Sequence, residues 1–382
     1  MPFFTMEQSA LATSVANFAW QEVEPRAGEE EDTDRQFRFM LALLAQADLL
    51  RFAVAGRSAP LDVRALCLIR ERLAYSSALA DLAFVMQGLG TYAISLAATE
   101  HVGDFWLSRA ASGKAVAAFA LTEPEVGSDV SAIATTAQKD GDTYVIRGRK
   151  RFISNAPLAD FYTVFARTGT RPDGRAEISA FIVSARLPGV RLTERIDLIA
   201  AHPIGEVEFS DVRVPAEDRI GTEGEGHKLA MRTLDTFRAS VGAAACGMAA
   251  RALDESITYA KQRTQFGQPL ASYQLIQAKL ATMRTELDAA RLLVYRAAYL
   301  KDSDPQQSFT EAASIAKLFA TEAAWRATDE AVQIHGGAGL LRGSVVEQLY
   351  RDVRALRIYE GTSEIQKLII ANQILKDGSN KP

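Results

Sequence analysis

The sequence predicts an α+β protein, with helices at both ends and a small β domain between them. Three observations carry this reading. From Glu7 to about Lys114, apolar residues recur at three- and four-residue spacing, as in Phe37, Met40, Leu41 and Leu44, and again in Leu66, Ile69 and Leu73. The middle holds short runs rich in Val, Ile, Phe, Tyr and Thr. Helical periodicity then returns from Lys228 to Leu375. The boundaries drawn from these changes are 1–118, 119–222 and 223–382.

Taken in order, the first helical region is punctuated by Pro60 and Gly113. The expected strands are Thr143 to Ile153, Phe161 to Arg167, Ile178 to Ser184 and Val207 to Val214. Asp140-Gly141-Asp142 and Arg171-Pro172-Asp173-Gly174 separate them with turn chemistry, which favours antiparallel pairing. Gly221 to Gly226 closes the β region. In the C-terminal region, Ala239 to Ala250 carries small side chains on every face, as a close-packed bundle helix would. The Asp302-Ser303-Asp304-Pro305 turn interrupts that helical region.

With 382 residues and 48% apolar content, the chain can bury two or three domain cores. Lys plus Arg number 43 against 47 Asp plus Glu, a formal charge of −4, which argues for neither nucleic acid nor anionic membrane. Cys67 and Cys246 lie far apart in Ala- and Leu-rich segments and read as buried free thiols. The four histidines lack ligand spacing, so no metal site is expected. No run of about 18 uncharged apolar residues stands out, so no membrane span is expected. The acidic start, with Glu7 close to Met1, does not resemble a signal peptide. These features fit a cytoplasmic protein.

Chemistry concentrates near the C-terminus, in Arg357-Ile358-Tyr359-Glu360-Gly361-Thr362-Ser363-Glu364-Ile365-Gln366. Glu360 lies between an aromatic and a glycine, immediately before a helix start. Ser363 and Gln366 have capping-box spacing, and the positive end of that helix would face Glu360. A carboxylate shielded there is a candidate general base, and burial beside Tyr359 and Ile358 should raise its pKa. Taken alone, Glu-Gly-Thr also reads as an acidic turn before an amphipathic helix.

Three further segments accompany it: Phe119-Ala120-Leu121-Thr122-Glu123-Pro124-Glu125-Val126-Gly127-Ser128-Asp129, Arg263-Thr264-Gln265-Phe266-Gly267, and Gln333-Ile334-His335-Gly336-Gly337-Ala338-Gly339. In order and spacing the four parts resemble the acyl-CoA dehydrogenase family, over about Thr5 to Leu375. That resemblance implies helices, a small β domain and helices again. It also implies α,β-dehydrogenation of an acyl-CoA, with Glu360 taking the α-proton and FAD the β-hydride. Such chemistry needs a base, stabilisation of the developing oxyanion and a hydride acceptor that no side chain can provide. Gly336-Gly337-Ala338-Gly339 does not follow a strand in a βαβ unit, so a nicotinamide site is poorly supported.

Carried over by resemblance, the FAD contacts are Phe119, Leu121, Thr122, Gly127 and Ser128, with Phe152 and Ser154 from Arg151-Phe152-Ile153-Ser154-Asn155. In isolation Thr122 and Ser128 are ordinary turn formers. Phe152 and Ser154 stand where the family often has Trp and Thr, and Glu125-Val126 replaces a small pair. Arg263, Gln265, Phe266, Leu270 and Gln274, then Gln333, Gly336 and Gly337, resemble segments that reach a neighbouring subunit's FAD. Thr362 and Glu364 complete the implied cofactor set. Arg suits pyrophosphate through its planar fork, although Arg263 alone reads equally as a solvated helix-end charge. The implied partners are an acyl-CoA, an electron acceptor such as electron-transfer flavoprotein, and further copies of the chain in a homotetramer built as a dimer of dimers.

Substrate contacts by resemblance are Ser128, Asp235, Arg238, Tyr359 and Gly361. Asp235 and Arg238 also have the spacing of a surface i,i+3 ion pair. Asp81 is unusual, because it interrupts the apolar run Ala78-Leu79-Ala80-Asp81-Leu82-Ala83-Phe84-Val85, which by register is the far wall of the family's acyl pocket. An unpaired charge there is costly, which points to a short, branched, cyclic or polar acyl group. The alternative is a carboxylate facing solvent or paired with Arg70 or Arg72. A related flavoenzyme acting on carrier-protein-bound acyl groups, or a flavin oxidase or monooxygenase on the same fold, is the competing functional reading.

Overall fold

A computed structural model of the chain describes residues 3–28, 32–57, 60–304 and 308–377. The helices are α1 Met6–Phe18, α2 Thr33–Gln46, α3 Val63–Ser76, α4 Ala78–Ala97, α5 Glu100–Ala111, α6 Gly226–Gln262, α7 Gln274–Ser303, α8 Thr310–His335, α9 Val345–Leu356 and α10 Ser363–Asp377. The strands are β1 Ala117–Ala120, β2 Thr136–Asp140, β3 Thr143–Ser154, β4 Phe161–Thr170, β5 Ala176–Ser184, β6 Val190–Arg195, β7 Ile204–Pro215 and β8 Arg219–Ile220, followed by the hairpin β9 Thr264–Gln265 and β10 Gln268–Pro269. Pro305, part of the expected turn after α7, lies outside the described residues.

The chain forms two compact units. One comprises Met1–Glu29, Asp62–Asp81 and Asp235–Pro382; the other comprises Glu30–Leu61 and Leu82–Leu234. The second unit is organised by an eight-stranded sheet in the order β6-β7-β3-β2-β4-β5-β8, with β1 added against β4. Most pairings are antiparallel, as the turns require, but β1 and β2 both run parallel to β4. Turn chemistry marks hairpins alone, so it could not reveal these non-sequential neighbours. The alternating pattern of β3 and β7 buries Tyr144, Ile146, Val207, Phe209, Val212 and Val214 on one face. Within this unit Gln87 of α4 donates to Ala115 O at 2.7 Å and accepts from Ala117 N at 2.9 Å, fixing the start of β1.

In the first unit, the Ala-rich stretch of α6 packs as its composition suggests. A Cβ on Gly247 would lie 2.2 Å from Glu71 O of α3, and one on Gly242 would lie 2.7 Å from Val294 of α7. Such contacts leave no room for a larger side chain. Glu71 itself is buried and accepts from Arg291 Nε at 3.0 Å and from the Tyr295 hydroxyl. Both cysteines are buried and free. Helix α4 is long and apolar enough to cross a bilayer by length and composition, despite Asp81. Most of it is buried within the protein, as in a core helix.

Candidate active site

Glu360 occupies the turn between α9 and α10 and adopts φ +53°, with Gly361 at +90°. A left-handed non-glycine residue costs on the order of 1–3 kcal/mol and persists only where its surroundings hold it. Here they do. Gln366 Nε2 donates to Glu360 O at 3.2 Å and to Gly361 O at 2.9 Å. Lys317 Nζ of α8 donates to Gly361 O at 2.7 Å. Glu322 of α8 accepts from Ser363 Oγ at 2.6 Å and from Arg357 Nε at 2.8 Å.

This geometry corrects the capping-box expectation. Ser363 is already helical, Thr362 Oγ1 accepts from Ile365 N at 3.3 Å, and the Gln366 amide serves the turn's carbonyls. The cap is shifted by one residue because Ser363 is drawn to Glu322. The reciprocal capping box that does form in the chain joins Thr5 and Gln8.

Around Glu360 the first unit gathers an unusual density of charge. Arg70, 1% exposed, donates from Nε and Nη2 to the two oxygens of Asp81 at 2.8 Å each, and from Nη1 to Ser240 Oγ at 2.8 Å. Asp81 is therefore paired with Arg70, the alternative that its sequence context left open. Arg238 pairs with Asp235, which also accepts from Thr310 Oγ1 at 2.9 Å. The pair is not a surface one, since Arg238 is 5% exposed and its Nε is buried without a hydrogen-bond partner. Glu360 Oε2 is likewise buried and unpartnered.

Burial raises the Glu360 pKa, opposed by the positive charges of Arg70, Lys317 and Arg238 and reinforced by Asp81. The rise was expected, but its expected source needs correction: Ile358 is 54% exposed and gives Glu360 little cover. The Tyr359 hydroxyl is also pushed up by burial, against Arg70, which hydrogen-bonds it. Sequence reasoning missed Lys317 and Ser240. For Lys317 a signal was available, a lone cation within Ala312-Ala313-Ser314-Ile315-Ala316-Lys317-Leu318-Phe319-Ala320.

In the second unit, Lys150 of β3 joins the two segments expected to face the flavin. Fully buried, it donates to Leu121 O at 2.9 Å and to Glu123 Oε1 at 2.8 Å, while Arg151 N donates to Thr122 O at 2.9 Å. Glu123 in turn accepts from Ala134 N and Thr135 N. Burial lowers the Lys150 pKa to about 8 despite Glu123. Phe119 and Leu121 are buried, Thr122 and Ser154 half-buried, and Gly127, Ser128 and Phe152 exposed. Phe152 takes φ +55°, and Ser154 Oγ lies 2.8 Å from Nε2 of His202, an imidazole whose pKa burial lowers to about 4.

In the first unit Arg263, Gln265, Phe266, Gln274, Gln333, Gly336, Gly337 and Glu364 are exposed, and Leu270 and Thr362 half-buried. Tyr259, on α6 before the hairpin, stacks on His335, which precedes the glycine pair, at 4.2 Å. The residues fit a flavin dinucleotide. An exposed aromatic and hydroxyls crown the β segments, nothing lies within 4 Å of where a Cβ would stand on Gly127, Gly336 or Gly337, and Asn155 Oδ1 is buried without a partner. Among the described residues, no cluster of His, Cys, Asp and Glu could hold a metal.

Three family profiles match in sequence: the acyl-CoA dehydrogenase N-terminal domain over residues 5–114, the middle domain over 118–212 and the C-terminal domain over 224–375. A 3-(aryl)acrylate reductase of Clostridium sporogenes is 39% identical, over 98% of this chain and 100% of the relative. A cyclohexane-1-carbonyl-CoA dehydrogenase of Geobacter metallireducens is 34% identical, over 99% and 100%. The crystal structure of an acyl-CoA dehydrogenase complexed with FAD from Bacillus anthracis superposes with a TM-score of 0.90 at 32% identity, covering 98% of this chain and 68% of that one. With its domains matched in order and its helix–sheet–helix architecture, the chain belongs to the acyl-CoA dehydrogenase family, oxidoreductases that use FAD.

Proposed function

We propose that Glu360 is the base that removes the α-proton of an acyl-CoA thioester. The observation that carries this is its buried, unpartnered Oε2 beside three cations. The raised pKa brings the carboxylate closer to the basicity a proton abstraction needs, and the cations favour the negative charge that develops as the proton leaves the substrate. The Phe119–Ser128 and Phe152–Ser154 segments of one copy, with Arg263, Gln265 and the Gly336–Gly337 pair of a neighbouring copy, would hold FAD, which when bound would supply the acceptor for the β-hydride. Thr122, Ser128 and Ser154 offer it hydroxyls, and Arg263 a bidentate fork for pyrophosphate.

The acyl group is short, branched or cyclic. The Arg70–Asp81 pair beside Tyr359 puts polar atoms near the base, where a long tail would seek only methylenes, each worth about 0.8 kcal/mol when buried. The names of the two relatives, an aryl acrylate and a cyclohexane carbonyl, point the same way. Electrons pass onward to an electron-transfer flavoprotein, and the chain works as a homotetramer.

Glu360→Gln keeps the shape and removes the proton acceptor. Anaerobic mixing with straight, branched and cyclic acyl-CoAs should show flavin bleaching in the wild type. In the Gln variant it should be slower by about 10²–10⁴-fold, with FAD retained. Near-normal bleaching would place the base elsewhere. Preferred oxidation of chains of ten or more carbons would refute the acyl class.

A further inference from the structure

The charges around Glu360 match one another with one exception. Arg70 is neutralised by Asp81, Arg238 by Asp235, and Glu322 by Arg357, each through direct contact. Lys317 is fully buried, and its ammonium touches a neutral carbonyl, Gly361 O. Among the described residues it forms no ion pair, and neither does Glu360. The unmatched cation and the unmatched carboxylate thus lie at one turn. A buried charge without a counter-charge is costly, so each is tolerated because of the other. Lys317 also grips the backbone at Gly361, the residue after the base, next to the strained positive φ of Glu360.

From this we infer that Lys317 is a positioning residue for Glu360, holding its turn in the left-handed conformation and its side chain in the proton-accepting carboxylate form. The inference rests on the reading of Glu360 as base. Arg70, Asp81 and Tyr359 face the carboxylate from α3, α4 and its own turn, and Arg238 from α6. Glu322 and Glu364 face Lys317 from α8 and α10. Burial lowers the Lys317 pKa to about 8, partly offset by Glu360, so the ammonium is still charged at neutral pH. Removing it takes away one of the charges that oppose protonation of Glu360 and leaves Arg70 and Arg238, already paired, to do so.

The test uses the FAD-loaded enzyme and acetoacetyl-CoA, whose α-proton is acidic and whose enolate gives a long-wavelength charge-transfer band with oxidised flavin. The proton goes to the Glu360 carboxylate and no electrons are transferred. In the wild type the band should grow as pH rises through the Glu360 ionisation. Lys317→Met should move that midpoint up by about one pH unit, a tenfold gain in proton affinity, while FAD stays bound. Lys317→Arg, which keeps the charge, should return the midpoint most of the way to its wild-type value. If Met does not fold, Lys317→Gln, neutral but still a donor, should give the same upward shift. An unchanged midpoint in a folded neutral variant, even one with lower thermal stability, overturns the inference. Loss of the band in Glu360→Gln together with that result would reject Lys317 alone. A band that survives in Glu360→Gln would reject the base itself.

Discussion

At the scale of single residues, Glu360, under the proposed function, couples activity to instability. Its working form is the carboxylate, and burial raises its pKa. The rate of flavin reduction should therefore fall as pH drops through a value above the ordinary carboxylate range, read from kcat against pH. For stability the sign is opposite. A folded state that holds the proton more tightly than the unfolded chain loses stability as pH rises from the unfolded pKa through the folded one. Glu360→Gln should thus raise Tm at neutral pH, which calorimetry can check, while slowing flavin reduction as proposed above. Asp81 behaves otherwise, because its charge is matched. Asp81→Ala leaves the Arg70 guanidinium buried and unpaired and should cost about 3–5 kcal/mol in denaturant unfolding. A change near zero would mean that Arg70 finds solvent instead. Glu360 could be picked out in the sequence from its neighbours, Tyr359 and Gly361. The Arg70 partner of Asp81 could be named only as one of two, since eleven residues separate them and only the packing of α3 against the start of α4 decides which arginine points inward.

At the scale of elements, the turn between α9 and α10 depends on α8. Gly361 at φ +90° has Gln366 Nε2 where a Cβ would stand, 2.5 Å away. Gly361→Ala should therefore both strain the backbone and displace the amide that holds the turn. We expect a loss of about 1–3 kcal/mol in stability and a larger proportional fall in kcat than in FAD occupancy. Equal losses of both would indicate general unfolding. The strands show a similar division of information. The runs that became β3, β4, β5 and β7 were visible from Val, Ile, Phe and Tyr content, whereas β1, β2, β6 and β8 were not. Ala117–Ala120 is small and apolar, Thr136–Asp140 is mostly polar and exposed, and Arg219–Ile220 has two residues. Their strand character comes from the neighbours that complete their hydrogen bonds.

At the scale of the whole molecule, the first unit exposes large apolar groups that a lone chain gains nothing by showing. Phe266 is 95% exposed at the tip of the β9–β10 hairpin, and Leu275, Leu340 and Leu341 are exposed as well. Under the proposed assembly they and Arg263 meet a second copy. Arg263→Ala should then weaken flavin retention and oligomer stability together, followed by light scattering and flavin absorbance on dilution. A monomer with full flavin occupancy would contradict the shared site.

What the sequence determined by itself was the class of chemistry and the order of the domains. Hydrophobic periodicity reports local structure, and four short motifs at fitting separations report a family, both without knowledge of long-range contacts. What only the tertiary structure decided was the electrostatics around Glu360. Whether Asp81 is paired, whether Arg238 is buried, and which cation faces Glu360 all depend on how separate helices pack, with Arg70 lying eleven positions from Asp81 and on a different helix. Charge energies depend on distance and on exclusion of water, and neither exists until the helices have packed.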